Sequence, residues 1–124
     1  MNWTLEVIVV PVRDIDRAKA FYADGLGFHV DHDVVMGDEV RILQLTPPGS
    51  GCSVVIGKGA VPAMEPGSLK GLQLVVPDIE AARSELLARG VEVGEVDRQP
   101  WGAFVYFADP DGNGWAVQEL PSRG

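Results

Sequence analysis

Hydrophobic and polar positions alternate between two periods along this chain. Leu5–Val12 is rich in Val and Ile, and it reads as a strand buried on both faces. Asp14 follows and suits a helix N-cap, because its carboxylate can accept from the free N–H groups of the next turn. Ile15, Ala18, Phe21, Tyr22 and Leu26 then recur at helical spacing, and Gly25 and Gly27 stop the helix. Phe28–Val34 alternates as a strand does, Met36–Glu39 is a turn, and Val40–Thr46 is a second strand. Pro47–Gly51 is a hairpin loop leading into a strand over Cys52–Gly57. Lys58–Lys70 carries Gly, Pro, Met and Ser without periodicity and reads as a linker.

The order then repeats. Leu72–Val76 is a strand, and Asp78 caps a helix bearing Ile79, Ala82, Leu86 and Leu87, which Gly90 ends. Val91–Val96, Ala103–Ala108 and Trp115–Leu120 follow as strands, with Trp101 in the loop before the second and the turn Asp109–Gly114 before the third. The tail Pro121–Gly124 is expected to fray. Val12 and Val76 end matching apolar runs at an offset of 64 residues, and each run leads to Asp-Ile. Thr46–Gly51 matches Asp109–Gly114 at an offset of 63. Such a self-match marks a duplicated unit, so the chain reads as βαβββ twice. The expected organisation is a single domain over 1–124, with one module at 5–57, a linker at 58–70 and a second module at 71–120.

Length and composition narrow the setting. A chain of 124 residues can hide roughly two-thirds of its unfolded surface, enough for one core. The net charge of −8 repels phosphate backbones and anionic lipid, so no nucleic-acid or membrane partner is expected. Cys52 is the single cysteine, which excludes an intrachain disulfide and fits a reducing compartment. No basic residue near it in sequence lowers its pKa, so a buried, inert thiol is expected. No apolar run reaches the ~18 residues of a membrane span, and no basic region precedes the short apolar run at the N-terminus. A soluble cytoplasmic protein is the expectation.

Several motifs together resemble one family. Val10-Pro11-Val12-Arg13-Asp14-Ile15-Asp16-Arg17-Ala18-Lys19-Ala20-Phe21-Tyr22, then Leu26-Gly27-Phe28, and the late turn Asp109-Pro110-Asp111-Gly112-Asn113 are similar to the vicinal oxygen chelate superfamily. That superfamily includes glyoxalase I, bleomycin-resistance proteins and extradiol dioxygenases. The resemblance spans residues 5–120. It implies an α+β fold: two βαβββ modules forming a cup-shaped curved mixed sheet with helices on the outside. It also implies a homodimer, with modules paired within a chain or swapped between chains. The same motifs have plain structural roles. Phe21 and Tyr22 suit anchors of helix to sheet, and Asp109-Pro110-Asp111-Gly112 is turn chemistry. They report fold, and this fold serves unrelated functions.

In metal-using members a divalent ion sits at the base of the cup, held from the first and last strands of each module. The resemblance carries those four positions to Val7, Gly71, Ser53 and Ala116. None is His, Glu, Asp or Cys, and Val, Gly and Ala offer no side-chain lone pair to a hard or borderline ion. No metal or other cofactor is therefore expected. A metal-dependent lyase or dioxygenase is the least favoured function, with His29, Asp31, Asp33 or Glu119 as its conceivable ligands. His29, Asp31 and Asp33 share one strand face by period two, which could hold a metal but more simply forms a solvated polar face. His32 falls on the other face with Val30 and Val34.

Alternation then predicts the lining. Ile8, Val10, Val12, Leu72, Leu74 and Val76 should pack under the helices. Val7, Val9, Gly71, Gln73, Val75, Ala116 and Gln118 should face the cup. The result is an apolar hollow with two orienting amides, as small-molecule pockets have. Trp101 either stacks on a flat ligand at the mouth or covers the core, while Trp3 and Trp115 are expected to pack. The candidate ligand-binding residues are Val7, Val9, His32, Gln73, Trp101, Ala116 and Gln118. The expected function is metal-independent binding of a small hydrophobic or aromatic molecule, resembling drug sequestration. The alternative is a metal-independent isomerase or cyclase with His32 as its catalytic group and Tyr106 as a weaker candidate.

Overall fold

The computed structural model describes residues 1–121, so the tail expected to fray, Pro121–Gly124, lies outside the described residues beyond Pro121. Eight strands alternate with two helical segments. They are β1 (Val7–Val9), α1 (Ile15–Lys19, continued by a π-helical turn over Ala20–Gly25), β2 (His29–Met36), β3 (Val40–Thr46) and β4 (Ser53–Lys58). The second half holds β5 (Leu72–Val75), α2 (Ile79–Ala88), β6 (Asp97–Gln99), β7 (Gly102–Ala108) and β8 (Gly114–Glu119). Each half is a four-stranded mixed sheet, ordered β1-β4-β3-β2 and β5-β8-β7-β6. In each, the first strand runs parallel to the last and the other pairs are antiparallel. This is the α+β arrangement of βαβββ twice.

Both helices start as their sequences dictate. The Asp14 carboxylate accepts from the Arg17 N–H at 3.1 Å, and Asp78 does the same for Ala81 at 3.1 Å. The first helix ends in a wider turn, where the Leu26 N–H reaches the Phe21 carbonyl at 3.0 Å, five residues back. Two strands differ from expectation. β1 is only three residues long and is an edge strand, with Val7 exposed and Val10 buried just beyond it. Val91–Val96 is not a strand. Val91, Val93 and Val96 do pack inward, but Arg83 Nε takes the Gly94 carbonyl at 2.8 Å. A single long backbone bond, Gly94 N–H to the Tyr106 carbonyl at 3.5 Å, links that stretch to β7, so no ladder forms until Asp97.

One buried cluster draws on both halves. Leu43, Leu45, Val54 and Ile56 of the first sheet meet Leu72, Val105, Phe107, Trp115 and Val117 of the second, with Ala18, Tyr22, Ile79 and Leu86 of the helices among them. Ile8, Val12, Leu74 and Val76 pack against it as the alternation predicts. Each sheet therefore gives its helix-bearing face to the shared core and turns its other face outward.

The turn after β7 fastens the halves together. Asp109 Oδ1 accepts from the N–H groups of Asp111 and Asn113, both at 2.9 Å. Its Oδ2 accepts from the Tyr22 hydroxyl at 2.7 Å and from Asn113 Nδ2 at 2.8 Å. Asn113 Nδ2 also donates to the Pro11 carbonyl at 2.8 Å, and Trp115 Nε1 donates to the Tyr22 oxygen at 3.0 Å. Burial, and then the adjoining Asp109 carboxylate, push the Tyr22 phenol well above its ordinary range, so it stays a neutral donor. Phe21 packs edge-on to Tyr22 and against Phe107. Both aromatics are anchors.

Outside the core, Arg41 on β3 grips Asp33 on β2 through Nε and Nη2, both at 3.0 Å, and reaches Asp16 of α1 at 2.7 Å. Lys19 adds a 2.8 Å bond to Asp33. Hydrogen bonds from Arg41 and then Lys19 hold the Asp33 carboxyl down at about 2, from 3.8. A depressed carboxylate contributes stability that is present above its unfolded value and is lost as pH falls through its folded value. Asp33→Asn is therefore expected to cost about 0.5–1 kcal/mol at neutral pH, the scale of a solvent-screened pair. The gap between wild type and variant should close as pH falls from about 4 toward 2, as read by urea melts across that window.

Candidate functional site

The outward face of the first sheet carries Val7, Val9, His32, Val34, Gln44, Thr46, Ser53 and Val55. Their neighbours Leu43, Leu45, Val54 and Ile56 point to the core, and strand sides alternate. A bulge in β2 between Val30 and His32 reshuffles the polar residues. Val30 packs on the core, whereas His32 lies opposite Gln44 and joins Val34 on the outward face. The expectation that His32 shares a face with Val30 fails for that reason. So does the expectation that His29, Asp31 and Asp33 share one face. Asp33 lies opposite core-facing Leu43 and is taken by Arg41 and Lys19, while Asp31 hydrogen-bonds Thr46 on the outward side.

The second sheet presents Gln73, Val75, Phe104, Tyr106, Ala116 and Gln118. Phe104 and Tyr106 stack nearly parallel, 6.0 Å apart and 2° off coplanar. Gln73 Nε2 donates to Gln118 Oε1, and Gln118 Nε2 donates to the Trp101 carbonyl at 2.9 Å. Gly102 allows this amide row: its φ is +142°, and a Cβ there would lie 2.9 Å from Gln118 Nε2 and 2.7 Å from the Glu119 carbonyl oxygen. Trp101 itself is 61% exposed and covers no core in this chain. Trp115 is buried as expected, but Trp3 is exposed. Desolvation, and then Asp97, push the Tyr106 phenol up from its ordinary value.

The register moves one floor position. Val7 lies opposite Ser53 on β4, and the residue opposite Ala116 on β8 is Gln73. Gly71 precedes β5 and has a φ of +83°, which places it outside the ladder. The sequence offset of 64 between the first strands is thus two residues short in space. The floor reads Val7, Ser53, Gln73 and Ala116. An amide and a hydroxyl are poor ligands for a divalent ion, and two hydrocarbon side chains are none, so this donor set does not fit one. Among the described residues no three His, Cys, Asp or Glu side chains gather as metal ligands.

A single chain does not unite the seven candidate residues. Val7, Val9 and His32 lie on the first sheet; Gln73, Trp101, Ala116 and Gln118 lie on or beside the second. The shared core separates the two groups. A hollow of about 340 Å³ does open between the halves, near Leu26, Phe28, Pro47, Leu86 and Phe107, but on the helix side. Its polar rim residues Glu85 and Arg89 pair with each other at 3.5 Å.

Asp31, Thr46 and Ser53 are the functional candidates that sequence reasoning did not bring together. The polar positions Gln44 and Thr46, alternating with Leu43 and Leu45, were the available signal for an outward polar row. The bulge that brings Asp31 to that row has no sequence signature.

The residues that match the Glyoxalase/Bleomycin resistance protein/Dioxygenase superfamily are 4–117, and the chain belongs to that superfamily. It is similar to TnmS3, an antibiotic binding protein from Streptomyces sp. CB03234. The two are 37% identical with a TM-score of 0.85, over 97% of this chain and 98% of that one. A glyoxalase/bleomycin resistance protein from the same organism is 38% identical with a TM-score of 0.77, over 93% and 99% of the chains. YetH of Bacillus subtilis (strain 168), a protein without an assigned function, is 31% identical over 90% of this chain and 94% of its own. No helix among the described residues is long and apolar enough to cross a membrane.

Proposed function

We propose that this chain is a metal-independent binding protein that holds a small apolar or aromatic molecule, in the manner of drug sequestration. The observation that carries the reading is the chemistry of the outward faces. Val7, Val34 and Met36 on the first sheet and Val75 and Tyr106 on the second are more than a third exposed, and the four floor positions Val7, Ser53, Gln73 and Ala116 carry no ionisable group, with Asp31 and His32 to one side on the first face. Exposed apolar side chains on a sheet face suit an interaction site. The likeness to an antibiotic binding protein at 37% identity supports the same reading.

A homodimer completes the cup in this account. The first sheet of one copy faces the second sheet of the other, which brings Val7, Val9 and His32 opposite Gln73, Trp101, Ala116 and Gln118. Two equivalent cups result from one twofold axis. Cys52, half-buried and unpaired, suits a cytoplasmic setting.

Equilibrium dialysis against a panel of aromatic antibiotics, with sedimentation of the same sample, tests the proposal. Uptake by a particle of twice the 13.3 kDa chain mass is expected. A monomer that takes up none of the panel would sink it. His32 on the outward face keeps a second reading in view, an isomerase or cyclase. In that case His32→Ala abolishes turnover and spares binding, whereas a sequestering protein has no turnover to lose.

A further inference from the structure

The outward face of the first sheet holds a chain of hydrogen bonds whose direction is fixed by its end. Thr46 Oγ1 donates to Asp31 Oδ2, and Thr46 Oγ1 and Ser53 Oγ lie 2.6 Å apart. A carboxylate can only accept, and a threonine hydroxyl has one proton. That proton goes to Asp31, where the bond is charge-assisted. Thr46 can then only accept from Ser53, which uses the single Ser53 proton. Among the described residues Ser53 Oγ is left with lone pairs and no donor. It sits at the floor, beside Val7 on the neighbouring strand.

The second sheet has a chain of the same sense. The Trp101 carbonyl can only accept, so Gln118 must turn its N–H toward it and its oxygen toward Gln73. Gln73 donates an N–H to that oxygen, and among the described residues nothing donates to its own side-chain carbonyl oxygen. Each face therefore ends in an acceptor at a floor position.

We propose that Ser53 Oγ, assisted in the dimeric cup proposed above by Gln73 Oε1 of the partner subunit, selects ligands that bring a hydrogen-bond donor to the floor of the cup. A phenolic hydroxyl or an N–H satisfies Ser53. A ketone or ether oxygen meets a lone pair instead, on a face that already carries the Asp31 charge. Asp31 and Thr46 are positioning residues that orient the Ser53 proton away from the ligand. This inference rests on the reading that the cup takes aromatic small molecules, and it names the class of those molecules.

Three naphthalene probes of one skeleton test it: 2-naphthol, 2-methoxynaphthalene and 2-acetylnaphthalene, titrated by calorimetry into the wild-type protein at neutral pH. The wild type should bind the naphthol roughly tenfold tighter than the other two, the scale of one net hydrogen bond. Ser53→Ala should reduce that preference to about twofold or less. Asp31→Asn is the decisive variant, because it keeps the shape but replaces an obligate acceptor with an amide that can also donate. The chain can then run backward and let Ser53 offer its O–H, so binding of the acetyl compound should improve while naphthol loses its advantage. An unchanged preference in both variants would overturn the assignment of Ser53 while leaving the binding reading intact. Failure of all three probes to bind the wild type would overturn that reading, and this inference with it.

Discussion

Asp109→Ala is expected to lower the unfolding free energy by roughly 3–5 kcal/mol. The carboxylate is 5% exposed and accepts four hydrogen bonds. Its removal orphans the Tyr22 hydroxyl and two backbone N–H groups, and each unsatisfied buried donor costs about 1–3 kcal/mol. Asn113 Nδ2 keeps its second bond to the Pro11 carbonyl, which limits the loss. The consequence extends past the turn, because Tyr22 and Pro11 belong to the other half of the chain. The melt should also broaden, as the two halves lose their common fastening. Tyr22→Phe removes one bond of the set and should cost only about 1–2 kcal/mol. Chemical denaturation of the two variants beside wild type checks both the size and the order. Equal effects would mean that Asp109 acts through Tyr22 alone.

Ala116→Trp should lower affinity for any cup ligand about 100-fold, or ~2.7 kcal/mol, with little loss of stability. Ala116 lies on β8 between Trp115 and Val117, both buried in the core, so its own side chain points to the outward face. It is opposite Gln73 on one side and Tyr106 on the other. An indole there fills the floor and displaces the amide row without entering the core. Thermal melts and equilibrium dialysis on one preparation separate the two effects. A variant that binds as well as wild type would place the ligand elsewhere, and the helix-side hollow near Leu86 and Phe107 would be the next place to look.

Much of this fold is written locally. Asp14 and Asp78 cap their helices because a free carboxylate precedes a run of helical spacing, and both caps form. The alternation in Val40–Thr46 and Leu72–Val76 separates core from outward face in each sheet. Turn chemistry at Asp109–Asn113 is equally local, although its bonds to Tyr22 and Pro11 are not. What escaped the sequence depends on pairing across strands. A bulge in β2 sends Asp33 to Arg41 and Asp31 to Thr46, and nothing in the local pattern announces it. The register of β5 against β8 puts Gln73, not Gly71, at the floor, because a repeat offset measures chain length and the ladder measures space. Val91–Val96 has the pattern of a strand and packs its valines inward, yet the Arg83 side chain takes the Gly94 carbonyl and one long backbone bond to β7 does not make a ladder. Strand alternation placed most of the candidate residues on the side of each sheet that faces away from the core. Their division between two faces was not legible, since only the shared core shows that one chain cannot close the cup.

Recovery of a bound compound from chelator-treated protein tests the central claim most directly. The protein is stripped with a chelator, incubated with an excess of an aromatic antibiotic that it takes up, and separated. The extracted compound is then weighed by mass spectrometry. Retention of one compound per cup, with its mass unchanged and with no response to added divalent ions, is the predicted result. A compound returned with altered mass at catalytic protein concentration, or retention that appears only when a divalent ion is restored, would contradict the account.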